Sequence, residues 1–226
     1  MRNIILQLLN SYYFYNVIIN YKVMKFKNYL FFLLFAITSF GIAQTLESVD
    51  FVSNIHDNVI AVKKGNQWAF LNSDGKIAVS YRADLVKTPL ENNQYPMFQN
   101  DRCLITHKKD GITYFGYIDK TGKTVIEPKF LNASNFQNNT AIVLLLERTE
   151  ISNNAALKKP VVSYDYFEVV IDLNGNVLKY LNTEPIHITL SSNYLQNPPP
   201  ITSKFISNTL LATKNRDNKW SVIKLD

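Results

Sequence analysis

Three short corners in the sequence place an acidic or amide side chain three residues before a glycine, a spacing that ion-binding loops also use. They read Asn-Ser-Asp-Gly at 72–75, Asp-Lys-Thr-Gly at 119–122 and Asp-Leu-Asn-Gly at 172–175. A calcium loop needs several oxygen ligands close together, and each corner has one carboxylate. A phosphate loop needs a following helix, and no helical pattern follows these corners. We therefore predict hairpin turns in which Gly75, Gly122 and Gly175 take positive φ.

The histidines and the cysteine do not form a recognisable metal site or catalytic pair. His56, His107 and His187 lie in separate contexts without ligands at metal-site spacing, so we predict no metal and no cofactor. Cys103, the single cysteine, lies in an apolar alternation and is expected to be a buried hydrophobic residue. The sequence has no G-x-S-x-G motif, and its serines have no nearby base. These observations predict that the protein is not an enzyme.

One alternative keeps an enzymatic function open. The sequence contains four similar segments, which are described below, and the third of them is interrupted by an insertion between Leu146 and Val162. The carboxylates at this insertion are Glu147, Glu150 and Asp165. Two carboxylates about 5–10 Å apart in a concave pocket are the arrangement used in glycoside hydrolysis. The alternative function is therefore a secreted hydrolase with its site at the third-repeat insertion.

Four segments share one pattern, in which an apolar anchor is followed by an Asn or Asp corner, an apolar strand and a second strand. They begin at Ile55, Phe98, Phe136 and Phe205. The aligned place in the second strand holds Trp68, Phe115, Glu168 and Trp220. This place recurs about every 50 residues, which is the length of small β-repeat units. Because a ring at the same place in each unit indicates core packing, Trp68, Phe115 and Trp220 are interpreted as structural positions, together with the three corner glycines.

The periodicity within each segment is that of strands. Short runs rich in β-branched and aromatic residues, bounded by Gly, Asn and Asp, predict strands and no helix after the N-terminal leader, which is the part of the chain before Gln44. The predicted fold is all-β, an antiparallel meander of about four degenerate β-hairpin repeats that is barrel-like, propeller-like or an open array. The charged insertion at 146–162 predicts a surface loop, and the three prolines within 191–204 predict a surface connector.

Aromatic residues outside the repeat pattern are the better candidates for a partner site, because packing of the units does not require them. They are Tyr164 and Tyr166 beside the insertion and Tyr194 beside the prolines. A tyrosine offers a large apolar face with a polar tip, which suits contact with another molecule. We expect the ligand to be a protein or a carbohydrate.

The best-preserved unit, FGYIDKTGKTVIEPKF at 115–130, resembles the WG repeat, also called KWG. Phe115 takes the Trp place and Gly116 the Gly place, and an Asp corner and an Ile-x-Pro-x-aromatic ending follow. The segment KWSVIKLD keeps Lys219 and Trp220, and QWAFLNSDGKIAV keeps the Trp and the corner Gly. The chain is thus similar to a divergent WG-repeat protein. The resemblance implies an exported or surface-associated β-repeat scaffold of unassigned molecular role, and it implies no catalytic residue.

The leader of the chain predicts export. From Met24 it has two lysines, an apolar stretch of about 12 residues and small residues at Gly41 and Ala43, the pattern of a signal peptide over 24–43. The apolar stretch is shorter than the ~20 residues of a membrane-spanning helix. We predict cleavage before Gln44, no stable membrane span afterwards, and a periplasmic, cell-surface or secreted location.

Residues 1–23 precede this complete signal peptide. We interpret them as a mis-assigned N-terminal extension, with Met24 as the true start and 44–226 as the β-repeat domain. The alternative is that residues 1–23 pair with the apolar stretch as a membrane hairpin.

The basic character of the chain comes largely from the leader. The formal net charge is +6, but four basic residues and no acidic residue lie before Gln44, which leaves +2 for the predicted mature chain. Nucleic-acid binders concentrate Lys and Arg into a stripe along the phosphate backbone, and here they are scattered. We therefore predict no nucleic-acid partner, and a binding or structural module as the function.

Overall fold

The computed structural model describes residues 46–226, except 91–92, 155–158, 183, 216 and 226, together with six helical residues of the leader: Tyr15, Ile19, Tyr21, Lys22, Met24 and Lys25. The chain divides into two compact parts, Met1–Thr45 and Leu46–Asp226. The predicted signal peptide and extension fall almost wholly on residues outside those described. Within the described residues, no helix is long and apolar enough to cross a membrane.

Antiparallel sheets make up the second part, which confirms the predicted all-β fold. A four-stranded sheet has the order β1 (Phe51–His56), β2 (Val59–Lys64), β3 (Gln67–Asn72), β4 (Ile77–Arg82). A two-stranded ribbon joins β5 (Thr88–Pro89) and β6 (Gln94–Tyr95). The largest sheet contains β7 (Cys103–Lys109), β8 (Ile112–Ile118), β9 (Thr124–Ala133), β10 (Thr140–Asn154), β11 (Lys159–Asp172) and β12 (Val177–Tyr180), and β13 (Ile186–His187) also pairs with β11. The last sheet has the order β14 (Lys204–Phe205), β15 (Leu210–Lys214), β16 (Trp220–Lys224).

The strands form four stacked units in an open array, and among the described strands no sheet closes into a barrel. Unit one is β2–β4, unit two is β7–β9, unit three is β10–β12 and unit four is β15–β16. The cross-strand pairs place the same positions opposite each other in every unit: Lys63 with Trp68, Thr106 with Phe115, Leu144 with Glu168 and Lys214 with Trp220. The repeat alignment inferred from the sequence therefore corresponds to the register of the strands.

The three corners are five-residue turns that their first side chain organises. In unit two, the Asp119 Oδ1 atom accepts hydrogen bonds from the backbone N–H groups of Thr121 and Lys123, at 2.9 and 3.1 Å. Asn72 and Asp172 bond their own corners in the same way. Partial desolvation acts to raise the pKa of Asp119, but the hydrogen bonds from Thr121 and Lys123 prevail and lower the pKa below its usual range.

The corner of one unit packs on the unit before it. A Cβ atom on Gly122 would lie 3.2 Å from Val79 Cγ1, and a Cβ atom on Gly175 would lie 3.2 Å from Ile126 Cγ2. Both glycines have φ near +80°, at +83° and +82°. Gly75, in unit one, has nothing within 4 Å of the same point. Glycine is therefore favoured in units two and three both by backbone conformation and by the close approach of a neighbouring unit.

A second line of contacts runs along the tight turns that open the units. The first three turns have two successive residues at positive φ: Asp57 and Asn58, Asn100 and Asp101, Asn138 and Asn139. The first side chain of each turn bonds to the next turn along. Asp57 Oδ2 accepts from the Asp101 N–H at 2.9 Å, Asn100 Oδ1 accepts from the Asn139 N–H at 3.3 Å, and Asn138 Nδ2 donates to Asn208 Oδ1 at 2.7 Å. We call this row the Asx ladder.

The core lies between successive units, where apolar clusters join unit one to unit two, unit two to unit three and unit three to unit four. One cluster joins Trp68 and Phe70 of unit one to Cys103 and Ile105 of unit two. A second joins the other face of unit two to unit three and includes Tyr117, whose hydroxyl donates to the Ser134 carbonyl at 2.6 Å. Cys103 is buried as predicted, and burial raises the pKa of its thiol.

Two expectations from the sequence are wrong in this region. The insertion at 146–162 is not a loop, because β10 and β11 continue through it as a long hairpin arm and pair as far as Asn154 and Lys159. Trp220 is not a core residue, since 50% of its surface is exposed. It occupies the repeat place in register, but no described residues form a further unit that would cover this face.

Candidate ligand-binding cleft

A cleft of about 590 Å³ lies between unit three and unit four. Unit three and the chain after it contribute Leu144, Tyr166, Glu168, Leu181, Asn182, Glu184 and Ile186. The proline connector and unit four contribute Pro200, Thr202, Thr213, Lys214, Asn215, Asp217, Asn218, Ser221 and Ile223. The volume is in the range of about 300–1,000 Å³ that is usual for small-molecule sites.

The cleft exists because the repeat place in unit three is occupied by a carboxylate instead of a ring. In units one and two, Trp68 and Phe115 fill the space toward the next unit and are 5% and 7% exposed. Glu168 points into the corresponding space in unit three and is equally buried. Thr213 and Ser221 face it from unit four, and both are small. The space that a large ring closes elsewhere is therefore left open.

Glu168 anchors the proline connector. Its Oε1 atom accepts the backbone N–H groups of Thr202 at 2.6 Å and Ser203 at 3.2 Å. Its Oε2 atom accepts the hydroxyls of Thr202, at 3.2 Å, and Ser203. A buried carboxylate is stable only when its oxygens are bonded in this way. Because both oxygens are engaged, Glu168 holds the connector in place and fixes the shape of the cleft.

Tyr166 provides an aromatic surface in the cleft. It is half-buried against a cluster that contains Leu131, Leu144 and Leu195. Burial, and then the charge of nearby Glu168, raises the pKa of the phenol. Tyr166 is therefore a neutral hydroxyl at neutral pH, able to donate a hydrogen bond.

The opposite wall is polar. The hairpin turn of unit four presents Asn215, Asp217 and Asn218, and the strands beside it present Thr213 and Ser221. The turn itself is fixed, since Asn215 Oδ1 accepts the Lys219 N–H at 2.8 Å. Hydroxyl, amide and carboxylate groups facing an aromatic ring are suited to a ligand with several hydroxyl or amide groups.

The three tyrosines predicted to bind a partner are not brought together. Tyr166 lines the cleft. Tyr164 lies two residues along the same strand, on the same face and half-buried, but outside the cleft lining. Tyr194 is 75% exposed in the connector and is also outside the lining.

The carboxylates of the hydrolase alternative lie on the hairpin arm. Glu147 stands directly opposite Asp165 in the β10–β11 ladder, and Glu150 is exposed. Opposite residues of an antiparallel pair have Cβ atoms about 4.5–5.5 Å apart, so Glu147 and Asp165 are neighbours. None of the three lines the cleft.

Asp165 belongs to a small cluster with Ser163 and His187 that does not have the geometry of a catalytic triad. His187 Nδ1 lies 3.1 Å from Asp165 Oδ1 and 3.2 Å from Ser163 Oγ. A triad needs the carboxylate on one ring nitrogen and the nucleophile on the other. Both groups share one nitrogen here, and the His187 side chain is 71% exposed. Among the described residues, no three His, Cys, Asp or Glu side chains are grouped to hold a metal ion.

Sequence reasoning missed Glu168 and the polar wall of unit four. The repeat pattern places Glu168 at the ring position, and the signal that the sequence offers is a charge inside a largely apolar strand. A buried charge in such a strand requires specific partners, and so marks a departure from plain packing. Thr213 and Ser221 carried no comparable signal, because their role depends on how unit four stacks on unit three.

Comparison with known families agrees with the geometry of unit two. The family model of the WG-containing repeat matches residues 115–145, which run from β8 through β9 into β10. This segment of the chain is similar to the WG-containing repeat. No curated protein and no solved structure matches it.

The structure explains the Gly of the WG pair in unit two. A Cβ atom on Gly116 would lie 2.4 Å from the Ile126 carbonyl oxygen and 2.6 Å from the Pro128 nitrogen. The strand β9 crosses at this point, where its register with β8 shifts. A side chain at position 116 would push β9 away, so unit two needs glycine where β9 bends over β8.

Proposed function

We propose that the chain is an exported, non-catalytic β-repeat module that binds a carbohydrate or protein ligand in the cleft between units three and four. The observation that carries this proposal is the replacement of the repeat ring by Glu168, which opens a cavity at a regular junction. The lining favours a carbohydrate, because Tyr166 offers a stacking face and the opposite wall offers hydroxyl, amide and carboxylate groups.

Binding is tested by calorimetric titration with cello- and chito-oligosaccharides and with unstructured peptides. We expect at least one saccharide class to bind. Ser221→Leu places a larger side chain in the cleft from unit four and should weaken binding by about tenfold or more. A tenfold change in Kd corresponds to about 1.4 kcal/mol of binding free energy. Val222→Leu is the matched control, because the neighbouring side chain faces away from the cleft. The proposal fails if neither ligand class binds, or if both variants weaken binding equally.

The absence of catalysis is part of the same proposal. Its support is that both Glu168 oxygens are hydrogen-bonded and that Glu147 and Asp165 are not among the residues that line the cleft. Any saccharide that binds should be recovered intact after long incubation. Hydrolysis that Glu147→Gln or Asp165→Asn abolishes would instead establish the hydrolase alternative.

Export is supported by the leader pattern at 24–43. N-terminal sequencing of the protein recovered outside the cytoplasm should give a chain that begins at Gln44. A mature chain beginning well upstream would contradict cleavage at this site, and with it the assignment of Met24 as the start.

A further inference from the structure

Unit four has two faces, and only one is covered. Its inner face packs Leu211 and Ile223 on Ile142 and Val170 of unit three. The other face, which we call the end face, carries Lys204, Leu210, Ala212, Lys214, Trp220, Val222 and Lys224, which the strand register places side by side. Trp220 is 50% and Val222 is 64% exposed. In units one and two the equivalent faces are the buried junctions of the array.

The composition of the end face differs from that of those junctions. Among the seven residues named, the polar side chains are all lysines, and none is acidic, amide or hydroxyl. The Lys204 and Lys214 Nζ atoms lie 5.1 and 5.0 Å from the centre of the Trp220 ring. Both ammonium groups are therefore held beside the exposed ring by cation–π attraction. Residues 204–226 contain five basic and two acidic side chains, whereas 46–203 contain 15 basic and 16 acidic ones.

A second copy of the chain is a poor occupant of this face. Two end faces brought together by a two-fold axis would place three lysines opposite three lysines, which is repulsive. A head-to-tail stack would need the outer face of unit one, but there Val62 and Ala69 are already buried, with Leu46 and Tyr81 packed against them. The charge calls for an anionic partner.

We propose that the end face binds the surface of a membrane that contains anionic lipids. Trp and aliphatic side chains enter the boundary between headgroups and acyl chains, while lysines contact the phosphates. Such a surface needs only apolar insertion and positive charge, which are the two properties that the end face has. A protein or a sugar would also need directional partners for its own polar groups, and the end face offers none besides lysine. This contact is peripheral and lies on the other side of unit four from the cleft, with Lys214 at the edge that the two surfaces share.

The test is partitioning of the protein onto vesicles of phosphatidylcholine alone and of phosphatidylcholine mixed with phosphatidylglycerol. We expect binding to the mixed vesicles that weakens with added salt. Lys204→Gln with Lys214→Gln should lower the partition coefficient by about twenty- to thirtyfold, since each lysine contributes about fivefold at an anionic surface. Lys108→Gln with Lys109→Gln removes the same charge from another exposed strand end and should have less than about a threefold effect. Lys204→Arg with Lys214→Arg should retain binding.

Tryptophan fluorescence locates the contact. Trp68 is buried, so brominated lipid should quench only Trp220, and Trp220→Phe should abolish the quenching while the fold is retained. The proposal is overturned by equal binding to both kinds of vesicle, by equal losses in the two glutamine pairs, or by unquenched Trp220. It is also overturned if the wild-type protein does not bind vesicles but forms oligomers that Val222→Asp abolishes. Ser221→Leu should leave vesicle binding unchanged, which separates this result from that of the cleft.

Discussion

The junction between units two and three and the junction between units three and four follow the same register but close differently. At the first, Phe115 and Tyr117 fill the space, and Tyr117 meets Phe136 edge-to-face with ring centres 4.7 Å apart. At the second, the ring position is Glu168, and a cleft of about 590 Å³ remains. The comparison shows that the side chain at the repeat place, together with the side chains that the next unit sets opposite it, decides whether a junction is core or cavity.

The two junctions also differ in what holds them. At the first, the Gly175 corner lies on Ile126, so shape complementarity joins the units. At the second, a carboxylate binds the connector that leads into unit four. The regular junction is stabilised mainly by burial of apolar area, whereas the irregular one combines a smaller apolar cluster around Leu211 with a few specific hydrogen bonds. We expect the irregular junction to be the less stable of the two and the more variable in shape.

The largest effect on stability is expected from removing a ring inside a junction, Trp68, compared with removing the ring on the end face, Trp220. Trp68→Ala should destabilise the protein by about 3–5 kcal/mol, because it leaves a cavity in a packed core. Trp220→Ala should cost less than about 1 kcal/mol, since the ring is half exposed and loses mainly its contacts with the two lysines. Chemical denaturation followed by circular dichroism measures both. Equal losses would mean that the end face is covered in solution.

The sequence was sufficient for the all-β fold, the four units and the corner turns, because each rests on local information. Strand periodicity, the Asp-x-x-Gly spacing and the recurrence of a ring all lie within a few residues of one another. For the long hairpin arm the sequence predicts a loop, because its charges and Asn residues resemble those of loops. Its strands are held by pairing with each other and need no buried face over their whole length.

Contacts between units were not predictable in the same way. The Asx ladder joins residues about forty or more positions apart, such as Asn138 and Asn208, and its bonds exist only because the units stack in register. The exposure of Trp220 depends on what covers unit four, which no property of its own strand reveals. Predicting the cleft would have required knowing both that Glu168 faces unit four and that Ser221 faces unit three.

The second prediction concerns the carboxylate that replaces the ring. Glu168→Ala should destabilise the protein by about 2–3 kcal/mol, because the buried N–H groups of Thr202 and Ser203 lose their acceptor. Glu168→Gln should cost less, since its amide oxygen still accepts. Asp217→Ala is the matched control at the cleft rim, where an exposed side chain should change stability by less than about 0.5 kcal/mol. Thermal denaturation of the three variants gives the order, and a Glu168→Ala protein as stable as the wild type would show that the connector is held by other contacts.

The smallest expected effect is the difference in stability loss between two corner glycines. It separates the cost of a side chain at positive φ from the cost of crowding the neighbouring unit. Gly75→Ala should cost about 1–2 kcal/mol, the usual penalty for a side chain at positive φ, because nothing lies near its Cβ position. Gly122→Ala has the same strain and also crowds Val79 at 3.2 Å, so it should cost about 1 kcal/mol more. The crowding is removed in a protein that carries Val79→Ala. In that background, Gly122→Ala should lower the free energy of unfolding by no more than Gly75→Ala does in the wild type, and a double-mutant cycle measures this. If Gly75→Ala and Gly122→Ala cost the same, and Val79→Ala does not alter the cost at position 122, the corners are turns alone and the units are held together by the ring positions and the Asx ladder.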